Sequence, residues 1–139
     1  MKIVVKRKSY WPLAVFTLLL VAVPIAASFL LGKLIPEAYV TKIFLLCIHI
    51  ALTLLLGYMT LTGRAYWISG GPSYEETAAD PPRAFLFLRR HLVRFAIGTL
   101  AFAVMEVPSF LLRAPWGFDV FAFCVTLIAS AVSTVKVKF

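Results

Sequence analysis

Two residues combine acid–base chemistry with an apolar setting: Glu106, within Val104-Met105-Glu106-Val107-Pro108, and His49, within an earlier apolar run. A carboxyl in hydrocarbon is costly and takes a partner, a cavity or a protein interface. Glu106 is therefore either a proton or cation site or a protonated acid hydrogen-bonded between helices. Pro108 adds a kink and removes a backbone hydrogen bond nearby. At 1.5 Å per helical residue, His49 and Glu106 each lie about 5 Å to the outer side of the centres of their apolar segments. At that common depth they can share a proton, and burial and mutual charge act on the two in opposite senses. The competing reading of His49 is a neutral imidazole satisfied by a neighbouring carbonyl or hydroxyl.

A second cluster is cationic: Arg89, Arg90 and Arg94 surround His91, with Arg64 on the preceding link and Arg83 just after it. Guanidinium forks match phosphate oxygens, so these five can grip a phosphate or pyrophosphate on a lipid-linked substrate. Equally, they serve as a topology signal and an anchor to anionic lipids. A haem held by two histidines is not expected. His91 lies roughly 18 Å to the cytoplasmic side of the centre of the apolar segment that follows it, more than about 20 Å from His49.

Cys47 and Cys124 lie inside apolar runs and are expected as buried free thiols, not as a disulfide framework. Cys47 is two residues from His49 on a helix and shares no face with it, so no metal site is expected. Nucleophile elbows, zinc motifs and Gly-rich phosphate loops are all missing from the sequence. No cofactor is implied, and the chain does not read as an enzyme.

Composition fixes the setting for these groups. Of 139 residues 62% are hydrophobic and only 14% charged, with a mean hydropathy of +0.94, far above a water-soluble domain. Fourteen Lys and Arg against six Asp and Glu give a net charge of +8. In a soluble protein that excess raises the question of nucleic acid, but its placement answers otherwise.

Four apolar segments, about 11–32, 43–62, 95–112 and 118–135, predict four membrane-spanning helices, the third helix running over about 81–112 in all, in an all-α integral membrane domain that takes in residues 1–139. Lys6, Arg7 and Lys8 before the first segment and Ala26, Ala27 and Ser28 late in it suit a signal peptide. The apolar run is nevertheless longer than a typical h-region, so an uncleaved helix is expected. Short external joints make helices one and two, and three and four, antiparallel hairpins. The link 63–80 is a cytoplasmic surface loop. Asp80-Pro81-Pro82 reads as a cap with proline in the first turn. Helix three would then run about 48 Å, past a hydrocarbon core of about 30 Å, and extend into the cytoplasm. There Phe85, Leu88, Leu92 and Phe95 share one face, and Arg83, Arg90 and Arg94 another.

Orientation follows from the cations. With both termini cytoplasmic, that side carries Lys2, Lys6, Arg7, Lys8, Arg64, Arg83, Arg89, Arg90, Arg94, Lys136 and Lys138, against Lys33, Lys42 and Arg113 outside. Eleven against three is a strong positive-inside bias, as in a plasma or inner membrane.

Each hairpin closes on a basic, aromatic segment, Gly63-Arg64-Ala65-Tyr66-Trp67 and Lys136-Val137-Lys138-Phe139. This two-hairpin plan resembles GtrA-type membrane proteins, and the resemblance implies translocation of polyprenyl-phosphate-linked sugars. The Asn-Arg expected after the second helix in that family is Gly63-Arg64 here. From the residues themselves the expectation is a transport-type role, moving or binding a small ion, proton or amphipathic anionic substrate. The alternative is an accessory subunit of a larger membrane complex. Expected partners are membrane lipids, including anionic ones, and either further copies of the chain or another membrane protein; no nucleic acid is expected.

Overall fold

The computed structural model describes residues 8–139, with the backbone alone at Glu37 and Ala38. Lys2, Lys6 and Arg7, counted above for orientation, lie outside that range. The elements are α1 (Trp11–Leu31), α2 (Glu37–Thr62), a 3-10 turn (Ala65–Trp67), α3 (Tyr74–Ala79), α4 (Pro81–Leu111) and α5 (Trp116–Thr134). No strand occurs among the described residues. Four of the helices, α1, α2, α4 and α5, are long and apolar enough to cross a membrane.

Local chemistry sets their ends. Pro12 fits the first turn of α1, where its missing N–H costs nothing. Gly63, at φ 65°, takes the left-handed turn that stops α2, and the Arg64 N–H closes back onto the Met59 carbonyl at 3.0 Å. Asp80 caps α4, its side chain accepting from the Arg83 N–H at 3.0 Å, and Pro81 occupies the first position.

The link 63–80 is more ordered than a surface loop. Within it, α3 carries a capping box: the Ser73 hydroxyl accepts from the Glu76 N–H at 3.1 Å, and the Glu76 carboxylate accepts from the Ser73 N–H at 2.7 Å. Glu75 is held below the usual carboxylate range, first by its own backbone N–H, then by the Ser73 hydroxyl and by the charge of Lys8. A carboxyl lowered in this way stabilises the fold above its free value, and the contribution is lost as pH falls through the folded value. Acidification should therefore loosen α3. Ser73→Ala should cost about 1 kcal/mol of local stability. Hydrogen exchange at the Thr77 and Ala78 amides should speed up with no change in the spanning helices.

Packing centres on α4, which lies against both α2 and α5, while α1 rests on α2. One apolar cluster at the arginine-bearing end joins Leu56, Met59, Ala65, Ala84, Phe87 and Leu88. A second joins Leu45, Phe102 and Ala122. The 3-10 turn ties down the start of α1: the Trp67 indole N–H donates to the Ser9 carbonyl at 3.0 Å, and Tyr10 meets Tyr66 edge-on. In α1 the Ser28 hydroxyl donates to the Pro24 carbonyl at 2.8 Å, and Pro24 is its one buried residue.

The bundle is apolar outside and polar within. Leu18, Leu54, Leu100, Phe121 and Ile128 face outward, whereas Lys42, His49, Glu106, Ser109, Asp119 and Thr126 are buried. A water-soluble fold would reverse this, and hydrocarbon solvent produces it. Two expectations change accordingly. Lys42 is not a joint cation, because α2 starts at Glu37 instead of Ile43 and carries Lys42 into the bundle. Cys47 and Cys124 are exposed, not buried, since both sit on the outward faces of their helices, where a thiol needs no hydrogen-bond partner.

Candidate functional site

Helical periodicity lines up polar residues along one seam. On α2, Lys42 and His49 are seven residues apart and Thr53 follows one turn later. On α5, Asp119 and Thr126 have the same spacing of seven. On α4, Glu106 and Ser109 are three apart, with Thr99 seven before Glu106. Residues at such spacings share a helix face, so three helices turn their polar stripes toward a common axis. Ala122, Ser130 and Gly98 are small where α4 and α5 approach.

The first layer is ionic. Lys42 Nζ donates to Asp119 Oδ1 at 2.6 Å and to Ser109 Oγ at 2.5 Å, and Ser109 Oγ donates to the same carboxylate oxygen at 2.5 Å. Lys42 is 5% exposed and Asp119 not at all. Asp119 also lies in the first turn of α5, where backbone N–H groups favour negative charge. Beside this pair, Glu106 is 8% exposed and the charges acting on it are those of Asp119 and Lys42. Neither of its oxygens has a hydrogen-bond partner among the described residues, nor does Asp119 Oδ2. Lys42 and Asp119 cancel. The Glu106 charge is left over, and in an apolar interior such a carboxyl calls for a proton or a cation.

About two turns deeper lies an aromatic and histidine layer. His49 Nε2 is 3.0 Å from Thr126 Oγ1, its ring stacks on Phe102 at 4.9 Å and meets Phe123 edge-on, and Nδ1 has no partner. Thr53 and Thr99 continue the seam, with their hydroxyl oxygens 2.8 Å apart. Glu106 and His49 therefore belong to successive levels of one seam, and no hydrogen bond joins them.

The five arginines have separate surroundings. Arg89 and Arg90 are exposed on α4. Arg94 donates to the Ser133 carbonyl, and Arg83 donates to the Phe139 carbonyl at 2.7 Å while lying over the Phe139 ring. Arg64 is buried over Trp67 and Tyr58, at 4.6 and 5.3 Å from their ring centres, with Nε and Nη1 unpaired. His91, between the arginines in sequence, turns inward and pairs with the Phe87 carbonyl at 2.9 Å.

Sequence reasoning passed over Lys42 and Asp119. The signal that finds them is depth: two opposite charges, each within about two turns of its helix start, on helices that begin at the same end of the bundle. Among the described residues no group of three or more His, Cys, Asp or Glu is placed to hold a metal ion. No known protein family, curated protein or solved structure matches the chain.

Proposed function

We infer that the protein has a transport-type role in which the Glu106 carboxyl takes up and releases a proton or small cation within the membrane. The observation that carries this is an unpartnered, buried carboxyl beside an ion pair that already neutralises itself. Lys42 and Asp119 act as fixed counter-charges, and His49 with Thr126 extends the polar seam toward the arginine-bearing end. The positive-inside bias puts that end and both termini in the cytoplasm. There Arg89 and Arg90 are free to meet anionic headgroups.

The test is ion movement in sealed vesicles. Reconstituted protein should carry protons, sodium or potassium under an imposed potential faster than empty vesicles do. Glu106→Gln should cut that rate by about tenfold or more, with an unchanged gel-filtration profile. Wild-type rates equal to those of empty vesicles for all three ions would overturn the reading.

One observation favours a second reading. Helix α1 rests on α2 and exposes most of its surface, as a subunit docked on a larger membrane protein would allow. A stoichiometric partner retained in mild detergent would support that role, and a stable homo-oligomer would support transport.

A further inference from the structure

Glu106 faces more than the ion pair. Between α2 and α4 lies a cleft of about 300 Å³ whose lining includes Lys42, Leu46, Ala103, Glu106, Val107 and Phe110. Its rim residues Ile43, Val107 and Phe110 are outward-facing, so the cleft opens sideways toward the acyl chains. Apart from Glu106 and Lys42 every lining side chain is apolar, and Lys42 is committed to Asp119 and Ser109. Tyr39 packs on Phe110 with ring centres 4.6 Å apart, which gives the rim an aromatic face.

These features select a class of ligand. A divalent ion such as calcium or magnesium takes about six or more oxygen ligands, and the side chains lining the cleft offer only the two of Glu106. An anion meets Glu106 itself. A neutral apolar molecule leaves the carboxylate unpaired. A monovalent organic cation satisfies every condition: one positive charge cancels the surplus charge, a quaternary nitrogen needs no hydrogen-bond acceptor, an apolar body matches the walls, and Phe110 offers a cation–π contact. The volume lies at the small end of ligand pockets, suited to a cation carrying one ring.

Resting on the cation reading above, we propose that the α2–α4 cleft binds small lipophilic organic cations from the bilayer, in exchange for a proton on Glu106. In the exchange the carboxyl O–H bond breaks and its electron pair stays on the carboxylate. The proton leaves to water, and the cation forms an ion pair with the carboxylate. No oxidant or other reactant is needed. The charged groups facing Glu106 are Lys42 from α2 and Asp119 from α5; α1 has no ionisable side chain in Trp11–Leu31. Because Lys42 and Asp119 hold each other, the exchange changes the charge state of Glu106 alone.

The test is calorimetric titration of the full chain in detergent with benzyltrimethylammonium, a permanent cation, run in two buffers of different protonation enthalpy to count protons. Wild type should bind it and release close to one proton per cation at acidic pH, fewer as pH rises. Glu106→Gln, a near-isosteric change that leaves a side chain unable to ionise, should fold normally, bind about tenfold or more weakly and release none. Phe110→Ala should weaken binding several-fold and still release the proton. The uncharged carbon analogue neopentylbenzene should release none from wild type. Equal binding by wild type and Glu106→Gln, or binding without proton release across the pH range, overturns the proposal. The two readings fail separately. Glu106-dependent flux of inorganic ions without benzyltrimethylammonium binding would leave the transport role and remove the organic cation, whereas Glu106-dependent binding without flux would do the reverse.

Discussion

Asp119→Ala is expected to destabilise the bundle by about 3–5 kcal/mol, the cost of leaving a buried charge without its partner. Lys42 would keep only the Ser109 hydroxyl, in a position 5% exposed. Removing both charges is a different matter. Lys42→Met with Asp119→Leu should recover most of the loss, because neither desolvated ion is then present. Unfolding in a graded mixture of mild and denaturing detergent measures both variants against wild type. A single variant that unfolds no earlier than wild type would mean that the ion pair does not hold α2 to α5.

The second large effect is expected at Gly98, where α4 meets α5. A Cβ there would fall 1.9 Å from the Ser130 hydroxyl oxygen, 3.2 Å from its Cβ and 3.4 Å from the Thr126 carbonyl oxygen. The hydroxyl can swing away, giving up its 2.7 Å hydrogen bond to the Thr126 carbonyl, but the Ser130 Cβ and the α5 backbone cannot. Gly98→Ala should therefore cost about 1–3 kcal/mol, and Gly98→Val more, as the helices are forced apart. Adding Ser130→Gly should restore much of the Gly98→Ala loss. Thermal unfolding with circular dichroism reads the series, and a Gly98→Val protein as stable as wild type would contradict the contact.

Both positions show how far the sequence could be read. The four long helices follow from apolar run length, a local property, and the Asp80-Pro81 cap from neighbouring residues. Gly98, Ser130 and Ala122 are small residues suited to close approach, but the partner of each depends on helix rotation. Lys42 reads as a joint cation because a charge beside an apolar run ordinarily marks its end; here the helix continues through it. Its partner lies 77 residues away, beyond any periodic signal. Asp119, close behind the Trp116-Gly117 turn, carries no signal of its own until a cation is placed at the same depth on α2. Glu106 was legible as an intramembrane acid, while the cleft beside it depends on how α2 and α4 splay. The order within the 63–80 link was hidden for another reason: its helix is only six residues long, too short to show an amphipathic period.

The shortness of α5 has a consequence for how the host membrane acts on this protein. Nineteen residues give about 28 Å of helix, just under a hydrocarbon thickness of about 30 Å. To cross, α5 must use nearly its whole length, which sets Asp119, in its first turn, where acyl chains give way to headgroups. A thinner bilayer admits water to that turn and weakens the attraction of Lys42, whereas a thicker one draws the pair deeper and strengthens it. Helix α4, at about 46 Å, can tilt or protrude to absorb such changes, but α5 has no spare length. Lipid chain length is therefore expected to change the strength of the charged cluster with no ligand bound, and unfolding in bilayers of different chain length would show it.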